Sequence, residues 1–294
     1  MVIVVLVERE VRLDRPVPGW AAPLIARLSQ DRPAIVTREI AAGYLAEIGL
    51  DRDPATVIGY LSRLGWLSAT HVRGAWVFYP PGQTTTGDPY IDLRAWQTID
   101  PTARFALAGE AAALHLGYFD RVFDGPIALW LPGGIRPPAG VRPLVQVIHL
   151  AFRDGIELGP SRSLLRRRRL DVVNWSSNLA AFGPEALLVQ LAARPGSFGP
   201  WADLAAHLTL LAADCDPGRV VELLDGQTAS TWQRAAHILD LGGADHTATI
   251  VIEQRPAGEL VHVTLGDRDR DSVTTRFRVT DHLLAPLVAQ VGKA

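Results

Sequence analysis

The sequence predicts an α+β protein of two domains, and three observations support this class. The chain has 294 residues, which is more than one domain usually contains, and 48% of them are hydrophobic, which is enough for sizeable cores. Residues 19–64 place apolar side chains at helical spacing, whereas residues 65–82 form two short aromatic and β-branched runs. A Pro-, Gly- and Thr-rich stretch at 79–90 predicts a linker between an N-terminal domain (17–87) and a larger α+β domain (88–294).

Three helices are predicted in the N-terminal domain. Segments 19–30 and 37–50 carry apolar residues every three or four positions, and Thr37 is a suitable N-cap for the second. The third helix is predicted over 54–64, because Asp53 is a good N-cap, a proline follows it and a glycine stands at the other end.

The two faces of the third helix differ in chemistry. One stripe is apolar and predicts a core face, formed by Val57, Ile58, Leu61 and Leu64. The opposite stripe carries Thr56, Gly59, Tyr60 and Arg63. A merely solvated face usually carries Glu, Lys or Gln. A hydroxyl, a bare glycine, a phenol and a guanidinium instead suit close approach to a polyanion.

The aromatic and β-branched runs after the third helix predict a β-hairpin with its turn at His71–Gly74. The order helix, helix, helix, hairpin is typical of a winged helix-turn-helix, whose third helix enters the DNA major groove while the hairpin lies beside the backbone. The predicted DNA-binding residues are Arg38, Arg52, Thr56, Gly59, Tyr60, Arg63, His71 and Arg73.

The same layout also occurs in protein-interaction modules. Residues 17–87 carry six arginines against five acidic residues, which gives only weak attraction to phosphate. The alternative interpretation is therefore a winged helix that docks on a partner protein rather than on DNA.

The larger domain is predicted to mix helices and strands. Its predicted elements are a helix at 101–119, strands at 127–132 and 144–152, three helices within 182–226, a helix at 230–243, a small antiparallel sheet from 249–266 and 274–279, and a closing helix after Asp281. This pattern completes the α+β class.

Four consecutive arginines stand out in the larger domain: Arg166, Arg167, Arg168 and Arg169. On a strand they would alternate between faces, and on a helix they would surround it, so they cannot all reach one ligand. Residues 88–294 hold 20 basic and 23 acidic residues, so this domain has no general attraction to nucleic acid. The run is interpreted as a solvated rim, a contact for an acidic protein partner or a nucleic-acid contact.

Catalytic and metal-binding patterns were considered and set aside. Aspartates at 267–271 are spaced like the start of a calcium loop, but Ser272 and Arg278 stand where glycine and glutamate are required. Neither a phosphate-binding loop nor a GxSxG nucleophile elbow occurs. His207 and the single cysteine, Cys215, fit surface and core roles better than a catalytic pair. We therefore expect no enzymatic activity, no metal and no cofactor.

Residues 1–16 are predicted to form an N-terminal arm or strand. Their apolar run is six residues long after Met1, which is too short to span a bilayer, and it has neither a basic leader nor a cleavage site. With one cysteine and no membrane segment, a cytoplasmic protein is expected.

The chain from about Trp20 onward resembles the AbiEi-family antitoxins, especially the MenA-like branch. The resemblance is carried by the N-terminal elements, by "FALAGEAAALHLGY" (105–118) and above all by "FGPEALLVQLAARPGSFGPWADLAAHL" (182–208). These antitoxins are transcriptional regulators paired with nucleotidyltransferase toxins, whose Gly-Ser with paired acids is missing here.

The resemblance implies a repressor that binds double-stranded operator DNA at its own promoter and relieves a toxin that transfers nucleotides to RNA. It assigns promoter binding to the N-terminal domain and antitoxin activity at least partly to the larger one. The cognate toxin is a possible direct partner, with the arginine run and the surface near Trp201 as contact regions. The plainer alternatives are a solvated arginine rim and a tryptophan buried in the core.

Overall fold

A computed structural model describes residues 15–119, 124–168, 179–266 and 273–292. The chain divides into two compact units. The first comprises the described residues up to Ala103 together with Pro137–Pro143, and the second comprises Arg104–Arg136 and the described residues from Leu144 onward. The stretch 79–90 lies inside the first unit, so the functional division at residues 87 and 88 stays a prediction. Most of the predicted N-terminal arm lies outside the described residues.

The first unit places three helices and a hairpin where the sequence predicts them, followed by a fourth helix. Its elements are α1 (Ala22–Asp31), α2 (Arg38–Glu47), α3 (Pro54–Arg63), β1 (Leu67–Ala69), β2 (Trp76–Phe78) and α4 (Ile91–Ile99). Strands β1 and β2 pair antiparallel, with Leu67 opposite Phe78.

The predicted caps fix the ends of α2 and α3. The Thr37 side chain accepts a hydrogen bond from the Ile40 backbone N–H (3.2 Å), and Asp53 accepts one from the Thr56 N–H (2.8 Å). Gly65 follows α3 with φ +80°, a conformation that glycine adopts without strain. These local signals explain why the helix boundaries were predictable.

A single-residue bridge, not predicted from the sequence, joins the loop before α2 to the hairpin. The Val36 N–H donates to the Trp76 carbonyl (2.7 Å), and the Trp76 N–H donates to the Val36 carbonyl (2.9 Å). Beneath it lies a core that includes Leu24, Leu28, Leu45, Ile58, Leu61 and Trp66. The hairpin is thereby fastened to the three helices.

Arg15 closes the base of the hairpin from the N-terminal side. Its buried guanidinium donates hydrogen bonds of 2.8–3.0 Å to four backbone carbonyls, which belong to Gly65, Tyr79, Pro80 and Gln83. It also lies 4.4 Å from the centroid of the Trp66 ring. Burial lowers the pKa of Arg15. This arginine links the segment before β1 to the segment after β2.

The second unit contains the remaining helices and two small mixed sheets. Its elements are β3 (Ala106–Leu107), α5 (Gly109–His115), β4 (Ile127–Trp130), β5 (Val145–Ile148), α6 (Arg162–Arg167), α7 (Pro184–Ala193), α8 (Trp201–Ala205), α9 (Leu208–Asp214), α10 (Pro217–Leu224), α11 (Ala229–Leu241), α12 (Asp245–Glu253), β6 (Val263–Leu265), β7 (Val273–Thr274), β8 (Val279–Asp281) and α13 (Leu284–Val291). In each sheet one pair of strands is parallel and the other antiparallel.

Helix α7 is the centre of this unit, since it is buried on all sides and contacts α5, α9, α10 and α11. Its two buried polar side chains both have partners. Glu185 accepts a hydrogen bond from the Asp216 N–H (3.1 Å), and Gln190 accepts one from the Gly109 N–H (2.8 Å). Gly109 has φ +49°, and a Cβ there would lie 2.9 Å from that of Ala128. A glycine is therefore required where β3 turns into α5.

Four predictions for the larger domain were wrong in detail. The helix expected over 101–119 is only α5, because Leu107 pairs with β4 before the turn at Gly109. The strand expected from residue 249 is the end of helix α12, where packing against α11 overrides the β-branched composition. The segment 182–226 holds four α-helices rather than three, and the sheet near 263–281 is mixed rather than purely antiparallel.

A buried hydrogen bond joins α11 to the end of β8. The His237 Nε2 lies 2.7 Å from the Asp281 Oδ2, and both side chains are fully buried. The same carboxylate accepts backbone N–H bonds from Leu283, Leu284 and Ala285 (2.8–2.9 Å) and so caps α13. Burial favours the neutral acid, but the bonds from His237 and the backbone together lower the pKa of Asp281.

Within the parts of the chain that the structure describes, no helix has the length and apolar character needed to cross a membrane. Over the same residues, no group of three His, Cys, Asp or Glu side chains is arranged to hold a metal ion.

Candidate nucleic-acid interface

Helix α3 separates its residues as the sequence predicts. Val57, Ile58 and Leu61 are buried in the core of the first unit, whereas Thr56, Gly59 and Arg63 are exposed and Tyr60 is half-buried. Thr56 also donates its hydroxyl proton to Asp53 (2.7 Å). The structure thus brings the four predicted residues of this helix together on one surface.

Gly59 has no role in packing within the described chain. A Cβ built on it would meet no atom within 4 Å, and its φ lies outside the left-handed region. A glycine in a helix interior nevertheless costs about 1 kcal/mol relative to alanine. The fold does not require this glycine, whereas close approach of another molecule would.

Two arginines beside this surface lie against aromatic rings. The Arg52 guanidinium is 4.2 Å from the centroid of the Trp20 ring, and Arg63 is 5.6 Å from that of Tyr60. Trp20 and Tyr60 contact each other with centroids 5.4 Å apart and planes tilted by 57°. We call these four residues the stacked array. Sequence reasoning missed Trp20, because it lies before α1 and no spacing rule connects it to α3.

The four arginines predicted to contact DNA are not held in ion pairs by the residues that the structure describes. Arg38, Arg52, Arg63 and Arg73 are all exposed, and none forms an ion pair with another described residue. By contrast, Arg27 pairs with Asp31 (3.2 Å) and Glu47 (3.3 Å). The modest net charge of residues 17–87 therefore includes four exposed arginines that are not neutralised by an ion pair within the described chain.

Asp53 is an acidic residue at the edge of this surface. Hydrogen bonds from the Thr56 side chain and backbone lower the pKa of Asp53, and the charge of Arg38 lowers it further. Asp53 thus lies within electrostatic reach of Arg38. Its carboxylate caps the N-terminus of α3, and this local role explains why an acidic residue lies at the edge of a basic surface.

The hairpin tip presents one anchored residue and one free one. The His71 backbone N–H donates to Asp92 on α4 (2.8 Å), and its ring Nδ1 lies 2.9 Å from the same carboxylate. A Cβ on Gly140 would lie 1.9 Å from the His71 carbonyl oxygen, so the backbone is also held from that side. Arg73 remains exposed. Of the two predicted tip residues, Arg73 is the better candidate for a phosphate contact.

Replacing Arg73 with alanine tests this contact. If its guanidinium neutralises one phosphate, binding should weaken similarly on all DNA sequences, and the slope of log K against log salt should fall by about one unit. Fluorescence anisotropy between 50 and 200 mM salt measures both quantities. The matched control is Arg27→Ala, which removes the same charge from a paired arginine; an unchanged slope in Arg73→Ala would make Arg73 a solvated turn residue.

The arginine run does not form one surface. Arg167 Nη2 lies 2.8 Å from Asp214 Oδ1, and Arg168 pairs with the other oxygen of that carboxylate while donating to the Leu116 carbonyl. The Tyr118 hydroxyl donates to Asp214 (2.9 Å), and burial raises the pKa of this tyrosine. Arg166 is exposed, and Arg169 lies outside the described residues. The structure therefore uses two of the arginines to hold Asp214.

Two further residues considered from the sequence, Trp201 and Cys215, are internal, whereas the aspartates at 267–271 lie outside the described residues. Trp201 is buried, donates its Nε1–H to the Pro195 carbonyl (3.2 Å) and packs edge-on against Phe198. Cys215 is buried, and burial raises the pKa of its thiol, which favours the unreactive neutral form. The buried-tryptophan alternative is thus the one that the structure supports.

Comparisons with known proteins define the class of this chain. Residues 105–241 match the AbiEi antitoxin C-terminal domain family. The RV2827C protein from Mycobacterium tuberculosis, known from a crystal structure, is 43% identical; the alignment covers 96% of this chain and 98% of that one, with a TM-score of 0.88. A search of curated proteins gave no significant match. The predicted resemblance to the AbiEi antitoxin family, which is a regulatory family, is confirmed over residues 105–241.

Proposed function

We propose that this protein is the antitoxin and autorepressor of a toxin–antitoxin operon in the cytoplasm. Its first unit acts as a winged helix-turn-helix that binds operator DNA at its own promoter. The cognate toxin is a nucleotidyltransferase, and the second unit supplies antitoxin activity. The family match supports the antitoxin role, and the geometry of the first unit supports the DNA-binding role.

The exposed face of α3 is the observation that carries the proposal. It combines a glycine that the fold does not need with the exposed Arg63, which forms no ion pair among the described residues. Three further exposed arginines lie at the start of α2, in the loop before α3 and at the hairpin tip, namely Arg38, Arg52 and Arg73. The Val36–Trp76 bridge supports it further, because it fastens the hairpin beside this face, as a wing requires. In such a domain, phosphate contacts fix its position on DNA and base-edge contacts read the sequence. The first unit offers side chains suited to both kinds of contact.

The Gly59→Ala variant tests this proposal with two measurements of opposite expected sign. The variant should raise the free energy of unfolding by about 0.5–1 kcal/mol, because alanine is the better helix former and has open space. It should weaken operator binding by about 1–3 kcal/mol, the usual cost of an added methyl group in a close-packed contact. Chemical denaturation and gel shifts with the DNA upstream of the gene provide the two values.

The matched control is Gly43→Ala on α2, which is also an exposed helix-interior glycine with no neighbour within 4 Å. It should stabilise the fold without changing binding. If the wild-type protein does not bind the upstream DNA, the first unit is better explained as a protein-docking module. If Gly59→Ala binds as tightly as wild type, α3 is not the recognition helix.

A further inference from the structure

We propose that Trp20 is a positioning residue for DNA binding, because its ring holds the Arg52 guanidinium ready to contact a backbone phosphate. This inference rests on the proposed DNA-binding function and assigns a role in it to a residue outside α3. The juxtaposition that carries it is the stacked array of Arg52, Trp20, Tyr60 and Arg63.

The Trp20 ring has a fixed position. The residue is half-buried and packs against the core of the three helices, so one side of the ring is set by that core. The turn that carries it is closed by bonds from the Ala21 and Ala22 N–H groups to the Pro18 carbonyl (2.9 and 3.1 Å). An anchored aromatic ring can hold a side chain that would otherwise sample many rotamers.

Arg52 is the side chain whose rotamers the Trp20 ring restricts. It is exposed in the loop between α2 and α3, and its neighbours Asp51 and Asp53 form no ion pair with it among the described residues. Its guanidinium instead lies 4.2 Å from the Trp20 ring centroid. Stacking over an aromatic face leaves the in-plane N–H groups free to donate, which is the geometry that bidentate phosphate recognition uses.

The position of Arg52 favours phosphate over a base edge. It lies in the loop that precedes α3, outside the exposed stripe of the helix that carries the predicted base-reading side chains. The array continues through Tyr60 to Arg63, so the same ring contact that holds Arg52 also borders the predicted base-reading side chains. Trp20 thus lies between the proposed phosphate contact of Arg52 and the recognition face of α3.

The test is a double-mutant cycle in the full-length protein on the DNA upstream of its gene. Arg52→Ala should weaken binding on all sequences and lower the salt slope by about one unit. Trp20→Leu should weaken binding about two- to fivefold, the size of one exposed cation–π contact. In the Arg52→Ala background, Trp20→Leu should cause no further loss, and Trp20→Phe should retain most of the wild-type affinity because it keeps a ring.

A second readout needs no DNA. The Arg52 Nε–Hε resonance in the free protein should be shifted by the ring current of Trp20 and should return to the ordinary arginine position in Trp20→Leu. Circular dichroism shows whether that variant is folded, and Trp20→Met, which also lacks a ring, replaces it in the cycle if it is not. Additive losses, wild-type affinity in Trp20→Leu or an unshifted Arg52 resonance would each overturn this proposal alone. Failure of the wild-type protein to bind DNA would overturn the proposed function itself.

Discussion

The Asp281→Ala variant is expected to lose about 3–5 kcal/mol of unfolding free energy, because several buried hydrogen-bond donors lose their acceptor and each such donor costs about 1–3 kcal/mol. The carboxylate is fully buried and accepts one bond from His237 and three from the backbone N–H groups that begin α13. Its removal leaves all these donors without their acceptor. Chemical denaturation of the full-length chain, followed by a spectroscopic signal from the second unit, measures the loss of unfolding free energy.

The pH dependence of stability provides an independent check on the same group. The pKa of Asp281 is lowered in the folded state, so its contribution is fully present above the unfolded value of about 3.9 and is lost as pH falls through the lower folded value. The stability gap between wild type and Asp281→Asn should therefore narrow as pH falls below about 4.

The control for both measurements is Asp225→Asn, which removes one partner of an exposed pair with Arg153. This variant should change stability by less than about 1 kcal/mol. A loss of the same small size in Asp281→Ala would mean that the buried pair contributes little to the second unit.

Cells that express the cognate toxin are expected to survive with the Arg63→Ala antitoxin while losing repression of the operon. Arg63 is exposed on the proposed recognition face, with its guanidinium 5.6 Å from the centroid of the Tyr60 ring. If it reads a base edge, its loss should cost about 1–3 kcal/mol in specific binding, or roughly 5- to 150-fold. A promoter fusion measures repression, and growth under toxin induction measures protection.

The charge-matched control is Arg27→Ala, whose arginine is already paired with carboxylates. It should keep both activities. Loss of protection in a folded Arg63→Ala protein would mean that antitoxin activity depends on DNA binding, and the role proposed for the second unit would then be wrong.

Local signals accounted for the parts of the fold and site that the sequence predicted correctly. The caps at Thr37 and Asp53 act within three residues, and the faces of α3 follow from helical periodicity alone. The exposed stripe of α3 was predictable for the same reason. What these signals could not supply was the position of any group distant along the chain.

The missed features depend on such distant contacts. The Arg52–Trp20 contact joins residues that are separated by all of α2, and the pairing of Arg168 with Asp214 joins α9 to the end of α6. His71 similarly meets a carboxylate on α4. Because each arises from tertiary packing, neither propensity nor spacing in the sequence predicts it.

The hydrogen bonds of Arg15 to four backbone carbonyls also have a mechanical consequence. Its guanidinium bonds carbonyls on both sides of the hairpin, namely Gly65 before β1 and Tyr79, Pro80 and Gln83 after β2. Tension applied to the chain at Arg15 is therefore transmitted directly to the two legs of the hairpin, in parallel with the covalent path into α1. In a force-spectroscopy experiment, these four hydrogen bonds would share the load and would rupture together.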